Sequence, residues 1–167
     1  TELGGASAPP PLIFNGGVFL AGAMCMAAGV GFGLAIHALT EKWFVAGLTA
    51  VVFILAGIGL SASSLFPWPD PRHMAINLGL GIQLAPLLLL WGLWSHVDMK
   101  RLKLFLVVVF VAMAVLTLFT YHLVLPGTVN DANVGWWERG YAIILVGWVG
   151  IAAFVLDRRL EAHAGRD

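Results

Sequence analysis

Asp70 and His73, three residues apart in FPWPDPRH, are the residues here whose types and spacing could do chemistry. A carboxylate beside an imidazole fixes its tautomer and raises its basicity, which is the arrangement of general acid–base catalysis. Glu138, in WWERG, is a second candidate carboxylate for His73. Histidines and carboxylates from separate helices can also hold a metal: His73, His122 and Asp70, with Glu138 beside them, form a candidate zinc or iron set. No HxxxH or HExxH spacing supports that set, so its ligands would have to converge through folding alone. Asn15, Asn77, His122 and Arg139 add polar groups suited to binding. The residues do not fix a reaction, and no cofactor is firmly implied by them.

The chain that must position these groups has 167 residues, 60% of them hydrophobic and 11% charged, with a mean hydropathy of +0.91. Soluble domains carry about 25% charged residues. Nine basic and nine acidic side chains cannot cover a globule of this length, so most of its surface must face lipid. A net charge of zero gives no sign of a nucleic-acid partner. The single cysteine, Cys25, has no internal disulfide partner and reads as a small packing residue.

A helix needs about 20 apolar residues to cross the hydrocarbon core. Five runs qualify, at 14–39, 44–66, 73–94, 102–125 and 137–156, each without charge in its interior. Barrel strands would be about 10 residues long with alternating polarity, which these runs lack. The expected fold is therefore all-α, a polytopic transmembrane helical bundle forming one domain over 1–167. With alternating spans, Lys42, Lys100, Arg101, Lys103, Arg158, Arg159 and Arg166 share one side, against Arg72 and Arg139 on the other. That bias predicts the N-terminus outside and the C-terminus cytoplasmic. Trp43, Trp68, Trp94, Trp136 and Trp137 mark span ends, where amphipathic rings favour the interface.

The first two spans are rich in small residues, among them Gly22, Gly29, Gly33, Gly57 and Ser61. Such residues let helix backbones approach closely, either within the chain or across a homo-oligomer seam. The fourth span, LFLVVVFVAMAVLTLF, has no glycine and predicts broad lipid exposure. In the third, Pro86 predicts a kink that leaves a carbonyl near residue 82 without its donor. Across that span His73 and Asn77 are four apart and would share one helix face.

The outer polar residues have a purely structural alternative. Asp70 would cap the third helix with Pro71 in its first turn, and Arg139 would pair with Glu138 or Asp70. Haem is a weaker candidate. His73 and His96 would be about 34 Å apart on one helix, at the edges of the hydrocarbon core rather than flanking buried haems. Transport is disfavoured by a nearly apolar midplane, where Gln83 and Pro86 are the main exceptions.

The segments ELG (Glu2, Leu3, Gly4), FN (Phe14, Asn15), FPxxD with the following histidine (Phe66, Pro67, Asp70, His73) and WER (Trp137, Glu138, Arg139) together resemble the family called domain of unknown function 998. The resemblance covers essentially the whole chain. It implies six spans, with the ELG segment after the first, so that an upstream helix would precede the five seen here. It implies no activity.

These readings converge on a multi-pass protein of a prokaryotic cell membrane with an outward-facing polar site. The expected role is binding a lipid or small molecule, or serving as an accessory subunit of a membrane complex. Its expected partners are membrane lipids, other membrane subunits or further copies of itself through small-residue faces. The alternatives are a membrane-embedded, hydrolase-like enzyme using Asp70 and His73, and a haem-binding electron carrier.

Overall fold

A computed structural model describes residues 11–165, leaving out 68, 76–77, 121–122, 126 and 131 and the side chains of 74–75 and 78–80. Helix α1 runs over Pro11–Thr40 and α2 over Trp43–Leu65. The two form an antiparallel pair joined by a two-residue turn. Glu41 makes that turn possible with φ of 56°, its N–H bonding back to the His37 carbonyl at 2.8 Å. A left-handed residue just past a helix satisfies carbonyls the helix leaves unpaired.

After a hairpin come the short α3 (Pro71–Ala75), a 3₁₀ segment (Leu78–Leu84) and α4 (Ala85–Gly92). A 3₁₀ turn at Val97–Met99 leads into α5 (Lys100–Thr120), and α6 covers Val134–Ala164. No strand occurs among the described residues. The chain is an all-helical, multi-pass membrane protein: α1, α2, α5 with its lead-in, and α6 are long and apolar enough to cross a bilayer, and Gly81–Gly92 adds a shorter apolar helix.

The third run is not the continuous helix expected over 73–94. Pro86 has no N–H to give the Ile82 carbonyl four residues back, as an α-helix requires. The stretch before it is 3₁₀, a pattern in which each carbonyl takes the N–H three residues on, and α4 begins with Pro86 in its first turn. Gly79 and Gly81 lower the α-helical preference of the same stretch. The missing donor foreseen at Pro86 is therefore met by a change of helix type. The last helix also outruns expectation, carrying the charged RRLEAHA stretch as helix to Ala164.

The α1–α2 seam is where the small residues act. A Cβ on Gly29 would lie 2.5 Å from Phe53 Cβ, and one on Gly33 3.0 Å from the Ala46 carbonyl oxygen. Cys25 lies on the same seam, its thiol donating to the Phe53 carbonyl at 3.4 Å. The core gathers Phe32 and Ile36 from α1, Phe53 from α2, Leu89 from α4, Leu106 and Met113 from α5, and Trp148 and Leu156 from α6. Phe32, Phe53 and Trp148 form an aromatic cluster with ring centroids 5.1–6.3 Å apart. On α5, Leu104, Val107, Val108, Val111 and Val115 are exposed, the lipid-facing surface its composition predicts.

Candidate functional site

The topology gives the bundle two unlike ends. At one end lie the start of α1, the close of α2, the hairpin with α3, the close of α5 and the start of α6. At the other lie Lys42, Lys100, Arg101, Lys103, Arg158 and Arg159, here called the basic end.

The hairpin is organised around Phe66, the residue that closes α2. Asp70 Oδ1 accepts the backbone N–H of Arg72 at 2.9 Å, so it caps α3 with Pro71 in the first turn. The same carboxylate receives the Arg72 guanidinium through Nε at 3.0 Å and Nη2 at 2.7 Å. That guanidinium lies 3.9 Å over the Phe66 ring. The hydrogen bonds from Arg72 hold the Asp70 carboxyl down at about 2, and Asp70 in turn raises the Arg72 pKa. His73 folds back onto the same residue, its Nδ1 lying 2.9 Å from the Phe66 carbonyl oxygen. A carbonyl only accepts, so Nδ1 carries the proton. In the neutral ring, Nε2 then keeps a lone pair that no described residue engages.

The capping role foreseen for Asp70 is present, but its ionic partner is Arg72 and not Arg139. The Arg139 guanidinium sits 5.3 Å over the Trp136 ring on the same helix. Glu138 is half-buried on α6 and makes no hydrogen bond or ion pair with the described residues. Among those residues, no such contact joins Glu138 or Arg139 to Asp70 or His73. The hairpin packs on α2, whereas α6 packs on α5 and α1. Asn15 is half-buried on α1 and already has a partner. Asn77 and His122 lie outside the described residues, and among those described no three His, Cys, Asp or Glu side chains come together as a metal site.

Residues 2–155 match the family described as Protein of unknown function (DUF998). The chain belongs to that family. No curated protein and no solved structure matches it. Membership fits the all-helical architecture of this DUF998 chain, and FPxxD, the following histidine and WER all fall at the hairpin end.

Sequence reasoning passed over the basic end, where the DUF998 chain ties its helix termini together. Lys42 Nζ donates to the Gly92 carbonyl at 3.0 Å, and Lys103 Nζ to the Trp94 carbonyl at 2.7 Å. His96 Nε2–H donates to the Leu39 carbonyl at 2.9 Å, and Arg159 pairs with Asp98. Cations on C-terminal carbonyls satisfy groups that a helix end leaves open and complement its dipole. Their signal in the sequence was only the positional excess of basic residues.

Desolvation, with Arg159, Lys103 and Lys42 nearby, lowers the His96 pKa below its ordinary 6.5. The unfolded chain therefore takes up this proton before the folded one does. The resulting stability is present above about pH 6.5 and lost as pH falls through the folded value. Thermal unfolding of detergent-purified protein between pH 7.5 and 5 should show a loss that is smaller in His96→Gln, whose amide still donates to Leu39. An unchanged slope in that variant would remove His96 as the cause.

Proposed function

We propose that this multi-pass membrane protein binds a small amphiphilic ligand, a lipid or lipid-like molecule, at its hairpin end in the outer leaflet of a prokaryotic cell membrane. The positive bias of the opposite end supports the outward placement. The observation that carries the reading is an asymmetry among the polar groups. Asp70 is fully engaged by Arg72, whereas His73 Nε2 and the half-buried Glu138 carboxylate make no hydrogen bond or ion pair with the described residues. A half-buried carboxylate near membrane depth is costly without a partner, and such residues commonly mark binding sites. Asn15, Asn77, His122 and Arg139 belong to the same proposed surface.

Mass spectrometry of co-extracted molecules tests it. Wild-type protein should retain, near one per chain, a species that His73→Gln and Glu138→Gln each lose while folding normally. Gln at 73 keeps an N–H donor for Phe66. Identical retention in all three proteins, or none in the wild type, would refute the reading.

One observation favours a second reading, the metal-dependent or acid–base enzyme. An imidazole whose Nδ1–H is held by a carbonyl presents Nε2 as a base or metal ligand. About one zinc per wild-type chain after purification with added zinc, and none in His73→Gln, would select it over simple binding.

A further inference from the structure

Between α1 and α6, toward the basic end, lies an open cavity of about 390 Å³. Gly31, Phe32 and Ala35 form one wall, and Ala153 and Leu156 the other, with Asp157 at the rim. Both helices are long and apolar enough to span a bilayer, so this cavity opens toward acyl chains. Among the described residues nothing lies within 4 Å of a Cβ placed on Gly31.

The charges that neighbour Asp157 near the close of α6 are unevenly paired. Arg159 is taken by Asp98. Arg158 reaches Glu161 at 3.5 Å and lies 5.4 Å over the Phe154 ring, yet two thirds of its side chain is exposed. Asp157 has no hydrogen bond or ion pair among the described residues. The lining of this apolar cavity thus includes a carboxylate with no hydrogen bond or ion pair among the described residues, next in sequence to a largely exposed guanidinium.

An occupant that fits must be apolar along its shaft and carry both a hydrogen-bonding cation and an anion at its head. We propose that the cavity binds an ethanolamine phospholipid of the leaflet at the basic end. One acyl chain lies between α1 and α6, the ammonium group meets Asp157, and the phosphate meets Arg158. Phosphatidylglycerol brings no cation to Asp157, and the trimethylated head of phosphatidylcholine has no N–H to donate. This site is at the opposite end from the proposed hairpin site, so Glu138→Gln leaves it unaltered.

The full chain is reconstituted in nanodiscs of equal phosphatidylethanolamine, phosphatidylcholine and phosphatidylglycerol, then moved stepwise into detergent while retained lipid is counted by mass spectrometry. Wild type should keep the ethanolamine lipid about tenfold over the other two, the scale of one charge-assisted hydrogen bond. Asp157→Asn should bring the ratio near one. Gly31→Leu, whose side chain enters the cavity, should lower retention of all three lipids while circular dichroism and elution remain those of wild type. Equal retention of the three lipids by wild type, or an undiminished preference in Asp157→Asn, overturns the proposal. So does a second polypeptide that cross-links to Gly31→Cys in place of lipid.

Discussion

Gly57→Ala should open the α1–α2 seam, while Gly31→Ala and Gly47→Ala leave stability near wild type. A Cβ at residue 57 would stand 2.5 Å from both the Gly22 carbonyl oxygen and Met26 Cγ, and 3.0 Å from the Met26 nitrogen. Two of those three atoms are backbone, so a rotamer change cannot relieve the contact. Either α1 moves away from α2 or the helices bend. Overpacking of a tight core typically costs about 1–3 kcal/mol, and a backbone clash lies at the upper end. In lipid the penalty is sharpened, because helix association relies on close van der Waals contact rather than on expelling water. Thermal unfolding in one detergent should place Gly57→Ala well below wild type. Gly31 and Gly47 have none of the described residues within 4 Å of the added carbon, so they control for helix propensity, which alanine improves. If the three variants unfold together, the seam is not what holds α1 to α2.

That seam was legible in the sequence because small residues recur at helical spacing on both partners, and their reason for being small is proximity. Gly22, Gly29, Gly33 and Gly57 all meet the neighbouring helix of the same chain. The four long spanning helices were legible for similar reasons, since length and apolar composition suffice to satisfy a bilayer, although α6 runs on past its apolar part to Ala164. The third run shows the limit of that argument. Hydropathy reports where the chain lies and not which hydrogen-bond pattern it uses, and Pro86 set the pattern by withholding one donor. The hairpin was half legible. Asp-Pro announces a helix start by local chemistry. That Arg72 would engage Asp70 and cover Phe66 depends on a turn of non-periodic geometry, outside the reach of helical spacing. The bond from His96 to the Leu39 carbonyl joins residues 57 apart, and no local pattern encodes it.

Trp148→Ala should be among the most damaging single changes in the core, and Trp148→Phe among the mildest at that position. The indole is 2% exposed and packs against Phe32 at 6.3 Å and Phe53 at 5.9 Å, so it joins α6 to both α1 and α2. Truncating a buried Trp typically costs about 3–5 kcal/mol, of which the cavity left behind is a large part. Lipid offers the unfolded helices an apolar solvent, which trims the transfer part and leaves the lost packing. A cost near 3 kcal/mol is therefore expected. Phenylalanine keeps an aromatic ring within reach of both partners. It also removes an Nε1–H that is buried without a hydrogen-bond partner among the described residues, and deleting an unsatisfied polar group offsets part of the lost volume. The net cost should stay within about 1 kcal/mol, read from thermal unfolding of each variant against wild type. If Trp148→Phe is as destabilising as Trp148→Ala, the indole N–H has an acceptor in the folded protein, and the cluster is held by a polar contact as well as by its rings.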